Sequence, residues 1–335
     1  MNFISKKNLT AWLDKMGEMT KLVAPKMVED VLLYKKVEDS SEIVWDYIVP
    51  VQSIKEVFFP PTERLLTIHK NGDGVHLAEN LHQDQTLVFG LRPCDARGML
   101  ALDALFLETD PVDSYYAARR KNTTLIGLAC QEMGDTCFCT SVGGGPHDTT
   151  GMDVMLTEVD GGYLVEALTE KGTGLLGGLK LEDKAVEKPA PPSGDIIPLP
   201  EGDNWPESFK SPFWANMSER CLSCRICAYV CPTCRCFDVR DEALPASNGG
   251  DDFERIRCWD SCAGEVYRRI AGGHNPREAK GERLRNRFLC KFYYYAEQYG
   301  PTACTGCGRC IQSCPVNIDI TEVLGAVTEV THDAK

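Results

Sequence analysis

The sequence predicts two unlike halves joined by a linker: an α+β or α/β N-terminal domain over 1–182, a proline-rich stretch over 183–212, and a mainly α-helical domain over 213–335 with a helical insertion at about 240–300. Three observations predict this. Strand-like and helix-like segments alternate in the first half. Seven of the 19 prolines fall between Glu182 and Pro212, where missing amide donors resist both helix and central strand. The 17 cysteines divide sharply: none precedes Cys94, four lie between Cys94 and Cys139, and thirteen between Cys221 and Cys314.

In the first half, Leu9, Trp12, Leu13 and Met16 recur at helical spacing. Segments 31–37, 42–49, 85–91, 122–130 and 162–168 are rich in β-branched and aromatic residues and read as strands. Segment 96–107 reads as a helix following the strand that ends near Leu91, and this alternation gives the α/β or α+β expectation. The linker has an alternative reading as an irregular surface loop within one domain. In the second half, a cysteine-poor stretch of helical character separates two similar motifs. Its segment Glu265–Lys291 carries eight Lys/Arg against three Glu. Such a surplus is a solvated helix face, a counter-charge for anionic metal–thiolate clusters, or a surface that steers an acidic partner. Near the end, Ile320, Val323, Leu324 and Val327 share a helix face, with Asp319 and Glu322 placed to cap its start.

Composition excludes several classes. With 43% hydrophobic and 25% charged residues the chain is ordinary for a globular protein. Its 36 Lys+Arg against 49 Asp+Glu leave −13, which disfavours nucleic acid as a partner. No apolar run is long enough to span a membrane. The N-terminal residues lack a signal-peptide core, so a cytoplasmic location is expected. Disulfides are disfavoured in a reducing compartment, so 17 thiols point to metal.

The strongest motif is a repeated spacing. Cys221, Cys224, Cys227 and Cys231 precede Pro232; Cys304, Cys307, Cys310 and Cys314 precede Pro315. Both are C-x2-C-x2-C-x3-C-P, the bacterial ferredoxin run, in which three cysteines bind one [4Fe–4S] cube and the fourth binds the other. Three thiolates two residues apart wrap one cube from a single loop, and the fourth, a helical turn on, reaches the partner cube. This assigns cluster 1 to Cys221, Cys224, Cys227 and Cys314, and cluster 2 to Cys304, Cys307, Cys310 and Cys231. The second half is therefore expected to be a ferredoxin-like domain with two [4Fe–4S] clusters. Structural zinc would favour two separated C-x2-C pairs instead.

Further segments carry a family resemblance: FFPPTERL (58–65), GLRPCDARGMLALDALF (90–106), DSYYAARRKNT (113–123), CFCTSVGGGP (137–146), CLSCRICAYVCPTCRCFD (221–238), WDSC (259–262), GHNPRE (273–278) and CTGCGRCIQSCPVNIDI (304–320). Across nearly its whole length the chain resembles the family that contains the iron–sulfur subunits of anaerobic sulfite reductase and the beta subunits of cytosolic sulfhydrogenases. The resemblance implies an electron-transfer role in a hetero-oligomer. It implies two kinds of partner. One is a diaphorase subunit that contains flavin and uses a pyridine nucleotide. The other is a catalytic subunit of hydrogenase, sulfite reductase or heterodisulfide reductase type.

A second constellation is Cys94, Cys130, Cys137 and Cys139. Four cysteines suffice for a cube, and Cys94 sits at a strand-to-helix turn where helix amides stabilise negative charge. The expectation is a third [4Fe–4S] cluster, giving about twelve irons in all; small buried packing residues are the alternative. Five thiols remain: Cys234, Cys236, Cys258, Cys262 and Cys290. They read as buried packing groups around the ferredoxin module, with a further cluster or a reactive dithiol as the alternative.

Gly172, Gly174 and Gly177 form a dinucleotide fingerprint without the βαβ context, so no nucleotide-binding residues are assigned. The glycines of 141–146 are expected in a tight loop beside Cys137 and Cys139, and the six histidines lack metal-ligand spacing. No catalytic residue is assigned. The functional expectation is electron transfer without substrate chemistry. Its rival is a catalytic subunit reducing a sulfur compound at a cluster or dithiol of the first domain. Full cysteine ligation of both ferredoxin cubes, with no vacancy for substrate, favours electron transfer.

Overall fold

The computed structural model describes residues 2–72, 74–245 and 251–330. The chain runs β1 (Asn2–Ser5), α1 (Lys6–Met19), β2 (Lys21–Val28), β3 (Val31–Lys36), α2 (Lys55–Phe58), β4 (Thr62–Asn71), β5 (Gly74–Glu79), β6 (Thr86–Leu91), α3 (Pro93–Phe106), α4 (Ser114–Asn122) and β7 (Thr123–Leu128). It continues with β8 (Val154–Val159), β9 (Gly162–Ala167), α5 (Glu170–Leu176), β10 (Glu182–Asp183), α6 (Asn204–Ser208), α7 (Phe213–Arg220), α8 (Ile226–Tyr229), β11 (Phe237–Ala243) and β12 (Asp251–Trp259). The last helices are α9 (Lys280–Leu289), α10 (Tyr295–Tyr299), α11 (Arg309–Gln312) and α12 (Ile320–Val330), with a π turn at Cys290–Tyr294 between α9 and α10.

An eight-stranded sheet has the order β10-β1-β9-β8-β7-β6-β2-β3. Its centre, β2, β6, β7 and β8, is parallel, and its flanks are antiparallel. Successive residues of these strands point to opposite faces, and both faces are covered. Leu22, Ala24, Leu87 and Phe89 pack with α1 residues Leu9 and Leu13. Val23 and Val88 pack with Ala96, Met99, Leu102 and Phe106 of α3. Double burial explains why the central strands read as continuous apolar runs. The third core lies in the C-terminal half, where Trp214, Phe288 and the Ile320, Val323, Leu324 and Val327 face of α12 meet. The linker is largely irregular, but it anchors there: Trp205 of α6 stacks on Phe292 at 5.4 Å.

Two segments depart from expectation. Segment 42–49 is no strand; it opens with a 3-10 turn and then runs irregularly. Its Ile43 and Tyr47 are buried in the core, so the apolar content serves packing without a ladder. The insertion is not wholly helical; its described part opens with strand, and residues 246–250 lie outside the described residues. Strands β11 and β12 join β4 and β5 in a four-stranded antiparallel sheet ordered β11-β12-β4-β5. Ion pairs link neighbouring strands of this sheet. Arg255 is paired with Asp241 at 2.7 Å, Arg64 is paired with Glu254, and buried Arg257 meets Glu63. Segments on both sides of the linker thus share one sheet.

Candidate metal centres

Each ferredoxin-type motif folds into the same loop. In the first, Ser223 and Arg225 adopt left-handed backbone (φ 55° and 67°) before α8 begins. In the second, Gly306 and Gly308 occupy the matching positions (φ 64° and 73°) before α11. Paired left-handed residues curl the chain so that successive cysteines face one side.

Cys221, Cys224, Cys227, Cys310 and Cys314 line a single cavity, closed by apolar Leu284, Phe288 and Ile320. Backbone amides donate to two of these sulfurs: Ser223 to Cys221 at 3.3 Å and Ile318 to Cys314 at 3.2 Å. Cys231, Cys304 and Cys307 are the electrostatic neighbours of Cys310. Burial pushes the Cys304 thiol up to about 12, and Cys310 is raised by the same cause. Thiolates there need compensating charge, and buried cations supply it. Lys291 donates to Cys231 Sγ at 3.1 Å and to Thr233 Oγ1 at 2.8 Å. Burial works against both the Lys291 ammonium and the Arg287 guanidinium, but adjacent cysteines outweigh it and raise both.

Cys94, Cys130, Cys137 and Cys139 line another cavity, together with Gly306 and Cys307 of the second motif. Proline opens α3, which puts Cys94 in its first turn; Cys130 follows β7, and Cys137 and Cys139 lie on the next loop. Arg92 fixes these pieces relative to one another. Its side chain donates to Ile48 O at 3.0 Å, Leu128 O at 3.3 Å and Ala129 O at 3.0 Å, and lies over the Tyr47 ring. The glycine loop is pinned by Arg97, which binds Val142 O at 3.2 Å and Asp148 at 3.1 Å. Burial raises Cys130 and Cys139 to about 11, and Cys94 well above its ordinary value. Cys307 neighbours Cys94 and Cys137 as well as Cys304 and Cys310, so this cavity adjoins the second motif. A buried pair locks the junction: Arg309 reaches Asp95 at 2.8 Å and Pro50 O at 2.7 Å, and Tyr34 also donates to Asp95.

Among the described residues, no three His, Cys, Asp or Glu side chains could hold one metal ion. The thiols stand around cavities instead. That arrangement fits a cube, whose irons each take one thiolate, better than zinc, which needs four sulfurs about 2.3 Å from one point. The cysteines announced themselves by spacing, but Arg287 and Lys291 had no signal beyond the basic surplus of Glu265–Lys291, and Arg92 and Arg309 had no spacing signal of their own. Gly172 proves to be a packing residue, since a Cβ there would strike Asp153 O. Cys258 stands on β12 beside Thr62, apart from both cavities.

Residues 220–318 match the family of 4Fe-4S dicluster domains. The chain is thus an iron–sulfur protein of electron transport, with two [4Fe–4S] clusters in its C-terminal half. It is 30% identical to sulfhydrogenase 2 subunit beta of Pyrococcus furiosus over 339 aligned residues, covering 95% of each chain. The chain belongs to this sulfhydrogenase beta-subunit family, as its motifs implied. No solved structure matches it. Among the described residues, no helix is long and apolar enough to cross a membrane.

Proposed function

We propose that the chain is the electron-transfer subunit of a cytoplasmic oxidoreductase complex, carrying electrons between a catalytic partner and a flavin-containing, pyridine-nucleotide diaphorase subunit. The catalytic partner is of hydrogenase, sulfite reductase or heterodisulfide reductase type. Cluster 1 takes Cys221, Cys224, Cys227 and Cys314; cluster 2 takes Cys304, Cys307, Cys310 and Cys231; a third [4Fe–4S] cluster takes Cys94, Cys130, Cys137 and Cys139. Such cubes supply one-electron uptake and release, at potentials set by hydrogen bonds, burial and nearby charge. The chain's part is to hold the thiolates, balance them with Lys291 and Arg287, and exclude water. The observation that carries the reading is contiguity: Cys307 borders the N-terminal group, and Cys310 borders the Cys221 group.

The test is the intact complex, isolated anaerobically with this chain as bait. It is expected to contain a flavoprotein and one catalytic protein of those types. Cys139→Ala is expected to remove about four irons per chain, leave assembly intact, and cut electron flow between the partners at least tenfold. Unchanged flow, or reduction of a sulfur compound by the isolated chain, would overturn the reading. Crossed ligation has its own check. Cys314→Ala is expected to abolish the cube of Cys221, Cys224 and Cys227 and spare that of Cys304, seen as loss of one component of the reduced-state electron paramagnetic resonance spectrum. A structure with Cys314 and Cys304 on the same cube would refute it.

A further inference from the structure

Four of the five unassigned thiols are gathered in one place. Cys234, Cys236, Cys262 and Cys290 line a third cavity, separate from the two described above. They come from three distant segments: the loop after the first motif, the turn after β12, and the start of the π turn beyond α9. Only Cys258 is left outside a group.

The lining decides between packing thiols and ligands. Cysteines that merely pack behave as small hydrophobes and sit among apolar side chains. Here no aliphatic side chain lines the cavity; apart from the cysteines there are Thr233, Tyr267 and four cations, Arg235, Arg268, Arg287 and Lys291. Carboxylates are missing from the lining as well. Two of the cations point at sulfurs of this group, Arg287 at Cys234 (3.6 Å) and Arg235 at Cys290 (3.8 Å), and Lys291 points at Cys231 beside it (3.1 Å). Arg287 and Lys291 are buried, and a cluster of cations around thiols, with no carboxylate among them, favours an anionic occupant. A cube held by four thiolates is one, because the thiolates exceed the charge of the iron–sulfide core.

The ligand pattern also repeats one found elsewhere in the chain. Cys137-x-Cys139 combines with Cys130 and Cys94; Cys234-x-Cys236 combines with Cys262 and Cys290. In each group a C-x-C pair on a loop is joined by two further cysteines, one of them helical. We propose that Cys234, Cys236, Cys262 and Cys290 bind a fourth [4Fe–4S] cluster, beyond the three of the proposed function. The site adjoins cluster 2, since Cys234 lies within hydrogen-bond reach of Cys231. Its outer wall includes exposed Arg268, so it forms a branch from the buried chain of sites toward the surface.

The full-length chain, reconstituted anaerobically with iron and sulfide, tests this. It is expected to bind about sixteen irons rather than about twelve. Cys262→Ala and Cys290→Ala are each expected to lose about a quarter of the iron and one component of the reduced-state resonance spectrum, while Cys258→Ala loses neither. Retained signals from the other cubes report that each variant has folded, and Cys236→Ala is the substitute if one has not. About twelve irons in the unaltered chain, with these variants unchanged, overturns the fourth site and leaves the other three standing. Zinc recovered in place of iron, or a Cys236–Cys262 disulfide in the anaerobic chain, overturns it too. Loss of iron from Cys262→Ala but none from Cys139→Ala would instead remove the N-terminal cluster and keep this one.

Discussion

The two C-x2-C-x2-C-x3-C-P loops have the same spacing and curl, yet they face opposite surroundings. The first is at the surface: Leu222 is 64% exposed, and Ile226 is 37% exposed. The second is inside: Arg309, which occupies the position of Ile226, is 1% exposed, and Thr305 is buried beside it. At the left-handed positions the first loop tolerates serine and arginine because their side chains have room. The second uses glycine because a Cβ on Gly306 would stand 2.5 Å from Cys139 Cα, and one on Gly308 would stand 2.5 Å from Thr136 O. The ferredoxin spacing therefore specifies loop shape, while the residues between the cysteines specify what the loop touches. One loop is fitted to the N-terminal half, and the other is left exposed.

That contrast can be broken at graded cost. Arg309→Leu strands buried Asp95 without its counter-charge and is expected to cost about 3–5 kcal/mol; Ile226→Ala, at the matching position, is expected to cost under about 1 kcal/mol. Anaerobic urea unfolding of the cluster-loaded chain measures both, and equal costs would erase the distinction between the loops. Gly306→Ala meets backbone and also adopts an unfavourable left-handed conformation, for a loss of about 3 kcal/mol. It should also perturb the spectrum of the proposed N-terminal cluster, because its β-carbon would push on Cys139. Ser223→Gly should do the reverse on a small scale, raising stability by up to about 1 kcal/mol by relieving a left-handed non-glycine residue. A clear loss in that variant would mean that the serine side chain has a contact specific to the loop.

Legibility in the sequence followed locality. The cysteine runs, the strands near 86–91 and 162–167, and the α12 face were readable because spacing and periodicity lie within a few residues. The second sheet was not, because β12 carries charge at five of its nine positions with no apolar alternation, and its partner β4 is far away: Arg64 and Glu254 lie 190 residues apart. Segment 42–49 misled for the opposite reason, carrying a strand-like composition that is spent on packing around Tyr47. At the candidate sites, the cysteines of each ferredoxin run were visible as a set. The group of Cys234, Cys236, Cys262 and Cys290 was not, since only folding brings its three segments together, and the arginines that hold the sites carry no periodic mark.

The sharing of structure across the linker bears on how the protein is made. A chain emerging from the ribosome folds its N-terminal part first, but here that part is left unfinished. Strand β4 waits for β12 on one edge, and the loop bearing Cys137 and Cys139 waits for Gly306, whose carbonyl accepts from Phe138 N at 2.8 Å. Arg309 must also arrive before Asp95 has its counter-charge. The loop of the N-terminal cysteines thus lacks its closing contact until almost the whole chain has been translated. A chain truncated after the linker would lack β12 and Gly306, leaving β4 unpaired on one edge and the Cys137–Cys139 loop without its C-terminal contact.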